Sequence, residues 1–496
     1  MRIKWGVCAD AKKKNEHKIV EWDSELAVNG HMLVCGMSGA GKTHMLRNVI
    51  NSVIELSKTP PRVHIFDVHS DIVIPGQSKV LFSEQTDYGL NPLRINPDPH
   101  FGGVRKRVQG FIGTINKVMH KLGSKQESVL RNVLIDVYAR HGFRQDEPNT
   151  WRIDDNSARL ISDGSDGRLY LDVPIAEKEM LKDLKIGAQY DGTPGIKCWW
   201  IPQDQYTGSV TRWSPKTLSR THPSIDDVLR YTRHRMQMSF LGTGIDAITN
   251  LEILNKAAMA YQRKLLEQLR KGEKGYEDEK LQADIDKARD KAIESYTSYA
   301  NTIGTGLEFN DLLKYDSTEV LKSVTEKLEN LSNIGIFKPT PPPFDPSAPV
   351  HNYDIRPLSL VERRLFVLFK LEDIFANAVA RGETKDIVEL IVLDEAHIYQ
   401  TDDEDSILDV MIREIRKFGV GIILASQSPT HFSEDIFASV ATKVILGIDE
   451  MYWPGAARKM RATEESLQWI RPQHSLLVQM KTKGATKNDW QRVVFE

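Results

Sequence analysis

The chain has 496 residues, with 66 Lys+Arg against 68 Asp+Glu and a formal net charge of −2. Hydrophobic residues make up 40% and charged residues 27%, ample material for a large core, so whole-chain disorder is excluded. The near-zero charge also excludes a protein that coats nucleic acid by bulk attraction; any such contact must come from a local patch. At roughly 150 residues per domain, the length suggests about three domains. No apolar run reaches the roughly 18 residues that span a bilayer, and the opening MRIKWGVCADAKKK is too polar for a signal peptide. Cys8, Cys35 and Cys198 are scattered and odd in number, which gives neither a disulfide framework nor a zinc quartet. The expectation is a cytoplasmic protein with no stable membrane anchor.

Residues 1–30 offer two short strand-like pieces, 3–7 and 19–22, split by Lys12, Lys13 and Lys14. An apolar strand at 32–35, a glycine loop and a helix from Lys42 follow. After Pro60 and Pro61 comes a second apolar strand, 63–67, ending in an acid. Residues 104–141 read as helical. The stretch 151–215 is rich in Trp, Gly, Asp and Pro and reads as short strands and turns, a small inserted α+β domain. Residues 251–300 are charged and helix-prone, a solvated helical hairpin broken near Gly272–Gly275. Six prolines between Pro339 and Pro349 predict an extended connector, not a core element. Then α/β alternation resumes: helix 359–381, strand 387–393, helix 405–417, strand 420–426, helix 433–440, strand 442–447, and final strands at 476–480 and 490–495. The pattern is that of one nucleotide-binding α/β core carrying a large insertion. The expected parts are an N-terminal β segment (1–30), the first part of the core (31–150), the small domain (151–215), a helical insertion with its Pro-rich linker (216–350), and the second part of the core (351–496).

Gly36-Met37-Ser38-Gly39-Ala40-Gly41-Lys42-Thr43 matches GxxxxGK[ST]. Glycines let the backbone wrap phosphates with its N–H groups inward, and the helix that starts there adds its positive end. Chance would give such a match only about 0.02 times in a chain this long. Gly36, Ser38, Gly39, Ala40, Gly41, Lys42, Thr43 and His44 are therefore candidates for binding ATP, with Lys42 reaching the β- and γ-phosphates and Thr43 ligating Mg²⁺. Asp394 and Glu395 end the apolar strand 387–393. There Asp394 would hold Mg²⁺ and Glu395 would orient the attacking water. Gln427, at the tip of strand 420–426, is placed to sense the γ-phosphate or the water.

The helix between them carries Arg413, Arg416 and Lys417. An arginine there could serve a neighbouring subunit's site as a finger, or simply match the helix dipole before Gly419. Asp67, in FDVHSD, is either an acid behind the site or a strand-end cap. His69 and His397 could sense nucleotide state or be structural. The basic runs Arg105-Lys106-Arg107, Arg230/Arg233/Arg235 and Arg458/Lys459/Arg461 are candidates for DNA or subunit contacts, or solvated helix faces.

Taken together, HMLVCGMSGAGKT, IFDVHSD, YGLNPL, IRPLS, LIVLDEAH, REIRKFGVGIILASQSP and WQRVVF resemble the HerA branch of the HerA/FtsK group of motors. These motifs cover about half of the chain, roughly 30–140 and 350–496, in that family's order. The resemblance implies a RecA-like P-loop ATPase core, a hexameric ring, and ATP-driven movement of double-stranded DNA. It also implies an effector partner, a nuclease or an NADase, in DNA processing or antiviral defence. HerA proteins usually open with a β-barrel that docks their partner, whereas about 30 residues precede the glycine loop here. Conjugative or type IV secretion ATPases share many of these motifs, and an ATP-gated ring scaffold is a third reading. A second resemblance covers 170–202, which is similar to a small domain of unknown function in plasmid primases and conjugation proteins, with Tyr190 where that pattern has Trp. Its Trp199, Trp200, Tyr190 and Lys178 could make an aromatic-basic face for nucleic acid, or pack a small β-rich core.

Overall fold

The computed structural model describes all residues except 154–158, 162–167, 193–196, 214–215, 220, 242–244, 273–278, 303–313, 316–317, 401–406 and 496. The chain forms two units. One comprises Met1–Lys121, His141–Ser224 and Ile334–Glu496, and the other Leu122–Arg140 and Ile225–Asn333. Among the described residues, no helix is long and apolar enough to cross a membrane.

The first unit is built on β1 (Arg2–Cys8), β2 (Ile19–Asp23), β3 (Met32–Cys35), β4 (Arg62–Asp67) and β5 (Ser78–Leu81). Its inserted strands are β6 (Arg159–Ile161), β7 (Arg168–Leu171), β8 (Gln189–Asp191), β9 (Cys198–Pro202) and β10 (Thr217–Ser219). The sheet resumes with β11 (Val350–Asp354), β12 (Thr384–Leu393), β13 (Phe418–Ser426), β14 (Thr442–Ile445), β15 (Ser475–Met480) and β16 (Gln491–Val494). The main sheet has the order β2-β1-β16-β15-β14-β3-β13-β12-β4-β11-β5. From β14 to β5 every pairing is parallel, while β15, β16, β1 and β2 form an antiparallel wing.

The parallel strands are covered on both faces, which is why they read as unbroken apolar runs. Val34, Val63, Ile65, Val392 and Ile423 share a core with Met45, Leu46, Val49, Ile50 and Val53 of the helix Lys42–Glu55. That helix shows apolar residues at i, i+1, i+4, i+5 and i+8, one face of a 3.6-residue period. Elsewhere, Phe366 and Phe369 of the helix Leu360–Arg381 pack against Phe82 and Phe111. Ser359 and Glu362 form a reciprocal capping box at its start.

One expectation is corrected. The helical stretch 104–141 is two helices, Val104–Val118 and Ser124–Arg140, because Gly123 breaks the run and Gln126 accepts its N–H at 2.8 Å. The second of these folds with the other unit. The Pro-rich stretch belongs to the first unit, where Phe344 stacks on His351 at 4.6 Å and meets Tyr353 at 4.6 Å.

In the insertion, β7, β9 and β8 form an antiparallel sheet over Leu169, Leu171, Leu181, Ile201, Val210 and Trp213. Trp213 Nε1 donates to Glu177 Oε2 at 2.7 Å. Trp199 packs partly against this core and touches Tyr190 edge-on, whereas Tyr190 itself is exposed. Part of the sequence motif, 193–196, lies outside the described residues.

The second unit is helical: Ser124–Arg140, Ile225–Leu241, Ile245–Gly272, Glu279–Thr302 and Thr318–Asn333. The hairpin of Ile245–Gly272 and Glu279–Thr302 matches the charged region 251–300, while its expected break extends into 273–278, outside the described residues. Asp136 ties the unit together by accepting from Tyr231, Tyr315 and Lys314.

Candidate active site

Five parallel strands end on one edge of the sheet, where open α/β folds hold ligands. β3 leads into the glycine loop, β4 ends at Asp67, β12 is followed by Asp394 and Glu395, β13 by Gln427, and β14 by Leu446 and Gly447. The loop follows the backbone the sequence demands: Gly39 and Gly41 have φ of 78° and 97°, a region that costs glycine nothing. Gly36 is needed for space, since a Cβ there would sit 3.1 Å from Leu446 and 3.2 Å from Ala40. The helix Lys42–Glu55 begins at Gly41, so its first N–H groups and its positive end face the loop. Ala40 is buried, Ser38 is exposed, and the exposed His44 pairs with Asn48 at 3.3 Å.

Lys42 Nζ donates to the Gly36 carbonyl at 2.9 Å and stands 3.4 Å from Glu395 Oε1, with both side chains nearly buried. Glu395 has φ +47°, a left-handed conformation unusual for a residue with a Cβ. Gln427 Nε2 approaches Glu395 Oε1 at 3.5 Å. Behind them Ser426 Oγ contacts His431 Nδ1 at 2.9 Å and His397 Nδ1 at 3.3 Å. Burial pushes both imidazoles below their ordinary range, against the pull of Glu395.

Thr43 Oγ1 donates to Asp71 Oδ2 at 2.9 Å. Asp67, Asp71 and Asp394 each bring a carboxylate oxygen within 4.8 Å of the others. Asp67 is largely committed to the loop, accepting the Ser70 and Ile72 N–H groups at 2.7 and 3.0 Å. By contrast Asp394 Oδ2 and Asp71 Oδ1 are buried with no hydrogen-bond partner. Burial, then the neighbouring Glu395, raises Asp394 from 3.8 to about 7. Orphaned hard oxygens beside a threonine hydroxyl fit a divalent cation such as Mg²⁺. His69 lies close enough to Asp394 to lower its pKa in part.

Parts of this chain resemble known proteins. A stretch of 63 residues is 41% identical to the DNA double-strand break repair helicase HerA of Pyrococcus furiosus, covering 12% of this chain and 11% of that protein. A stretch of 82 residues is 33% identical to the protein of the same description from Sulfurisphaera tokodaii, 16% of each. The chain thus spans only a small part of these two relatives' length. The structure of VirB4 of Thermoanaerobacter pseudethanolicus has the same fold over 100% of this chain and 96% of its own, with a TM-score of 0.52 at 13% identity. The chain has the fold of VirB4 and resembles HerA over those short stretches. Residues 168–215 also match a family described as Domain of unknown function (DUF5710).

Within this core, two predicted residues are not brought to the loop. Arg413 and Arg416 are exposed, and Arg416 precedes β13 whereas Ser426 and Gln427 end it. Nine strand residues separate the two ends, about 30 Å at the usual rise. Arg416 therefore cannot reach the glycine loop of its own chain. It sits near His31, which burial and then Arg416 hold at about 4.

Two residues of the basic runs are also engaged within the protein. Arg107 is nine-tenths buried and faces Glu372 and Asp373 at 3.4 Å each. Lys459 donates to the Thr430 and Phe432 carbonyls. Sequence reasoning missed Asp71 and Gln473. The first was legible as a second acid in FDVHSD. Gln473, whose Nε2 donates to the Gly39 carbonyl at 2.9 Å, stands 434 residues away and carried no signal.

Proposed function

We propose that this chain hydrolyses ATP and that its copies assemble into a ring, hexameric as in the resemblance, that moves double-stranded DNA. The observation that carries the reading is the juxtaposition of Lys42 and Glu395 at 3.4 Å, with Gln427 at 3.5 Å from the same carboxylate. In this reading the loop backbone at Gly36–Thr43 and Lys42 bind the phosphates. Glu395 orients the attacking water and accepts its proton, and Gln427 holds that carboxylate in line. Thr43, Asp394 and Asp71 would hold Mg²⁺, which when bound supplies positive charge to the phosphates. Arg416 would act on the site of a neighbouring copy, since its own lies a strand length away. A nuclease or NADase partner would dock elsewhere on the ring.

ATP turnover measured with and without duplex DNA tests the reading. Lys42→Ala should abolish turnover. Glu395→Gln should bind ATP and hydrolyse it orders of magnitude more slowly, since it removes the proton acceptor. DNA should accelerate the wild type, with steep salt dependence. Wild-type turnover by Glu395→Gln would remove the water-orienting role, and no response to duplex DNA would remove the motor.

A further inference from the structure

A cavity of about 920 Å³ opens in the first unit, and none of the residues that line it belongs to the glycine-loop site. Its size falls in the range of small-ligand sites, about 300–1,000 Å³. One wall is the YGLNPL segment, which the phosphate site leaves unused; its Asn91 amide is pinned to the Pro223 carbonyl at 3.0 Å. Five cations line the cavity (Arg94, Lys106, Arg107, Lys338 and Lys370) against two carboxylates, Glu372 and Asp373, a surplus of three.

The surplus is not neutralised within the protein. Arg107 uses one nitrogen on Glu372 and Asp373 and another on the Pro92 carbonyl, yet its second terminal nitrogen is buried without a partner. Among the described residues, Arg94 and Lys370 have no hydrogen bond or ion pair on their side chains, and the Tyr353 ring lies 5.9 Å from Lys370 Nζ. Cationic heads gathered without anions are costly, and charge-assisted hydrogen bonds to an anion relieve that cost. The remaining wall is apolar and open: Phe101 is 51% and Ile153 40% exposed. Trp151 closes the floor against Gly103, where a Cβ would meet its ring at 2.5 Å.

We propose that this cavity binds a nucleotide unit, its phosphate on Arg94, Lys370 and Arg107 and its base against Phe101 and Ile153. The unit is either a free nucleotide or part of a nucleic-acid strand, two sources with one chemistry. The site is additional to the glycine loop and rests on the proposed function only in using Lys42→Ala to silence the first site.

The test uses the full chain with two probes, ADP by equilibrium dialysis and a 5′-phosphorylated oligothymidylate by fluorescence anisotropy. Arg94→Glu with Lys106→Glu changes two exposed side chains, so folding is spared; Phe101→Ala removes the ring. If the source is a free nucleotide, wild type binds two ADP per chain and Lys42→Ala binds one. That remaining ADP is then lost in Lys42→Ala carrying Arg94→Glu and Lys106→Glu. If the source is a strand, the oligothymidylate binds Lys42→Ala and weakens roughly tenfold or more with the two charge reversals. Phe101→Ala weakens whichever probe binds. Absence of binding of both probes to Lys42→Ala, or affinities unchanged by the charge reversals and Phe101→Ala, overturns the cavity site. Full ADP binding by Lys42→Ala, with loss on the charge reversals, instead overturns the glycine-loop assignment.

Discussion

Asp394→Asn should make the protein more stable while removing its activity. The carboxyl is buried, its Oδ2 has no partner, and burial with the adjacent Glu395 raises it from 3.8 to about 7. An acid whose folded-state pKa is raised binds its proton more tightly in the folded than in the unfolded chain. Its ionisation therefore costs stability as pH climbs from the unfolded value through the folded one, and the full cost is present above pH 7. The displacement corresponds to about 4 kcal/mol at pH 8 and about 1.5 kcal/mol at pH 5. Coupling to Glu395 lowers the first figure, so about 2–4 kcal/mol is the working range. An asparagine of the same shape never ionises and escapes that cost. For a unit of this size, that range is a rise in melting temperature of roughly 3–5 °C. Differential scanning calorimetry in EDTA at pH 8 and pH 5 reads it. The gain should shrink by more than half at pH 5, and added Mg²⁺ should stabilise the wild type far more than the variant. A variant that melts at or below the wild type at pH 8, or a gain equal at both pH values, would refute the reasoning.

Mixing Arg416→Ala subunits with Lys42→Ala subunits should restore part of the ATP turnover that each lacks alone, because Arg416 lies a strand length from its own loop; no recovery at any ratio removes the finger in trans. Gln473→Ala, which frees the Gly39 carbonyl, should raise KM for ATP while leaving kcat nearly unchanged; a fall in kcat alone would place Gln473 in the chemistry. Trp213→Ala should destabilise the small domain by about 3–5 kcal/mol, since it fills that core and bonds Glu177. Limited proteolysis would then cut first between 168 and 215. Gly103→Ala should lower thermal stability through its φ of +95° and the Trp151 ring; an unchanged melting temperature counts against that contact.

The core was legible because its physics is local. Strands buried on both faces are apolar runs, and the loop's need for close backbone approach writes glycines at fixed spacing. Strands and helices from 359 to 447 therefore match the sequence pattern to within a few residues. What was illegible depends on partners far along the chain. Whether Ser124–Arg140 packs with the core or with the helical unit is decided by Asp136, whose tyrosine and lysine partners lie 95 and 178–179 residues away. Arg107 sits in a run that reads as a solvated helix face, yet its partners are 265 and 266 residues distant. Gln473 reaches the loop from the far end of the chain with no motif to announce it.

Among the described residues, seven that are not glycine adopt positive φ, and three of them (Ser70, Glu395 and Gln473) surround the glycine loop and its acids. Each such conformation costs of order 1–3 kcal/mol and persists only where the surroundings over-determine it. Here the surroundings are visible. Ser70 is held by its N–H to Asp67 and its hydroxyl to Asp354, Glu395 by Lys42 and Gln427, and Gln473 by the Gly39 carbonyl. The unpartnered oxygens of Asp71 and Asp394 belong to the same edge. Strain, orphaned acceptors and a raised carboxyl thus coincide at one end of five largely apolar strands. A fold under selection for stability alone would remove them singly, since each removal is a small step with a gain. Their coincidence is what a site that must grip phosphates and a cation requires, and it is the reason that Asp394→Asn should gain stability where it loses function.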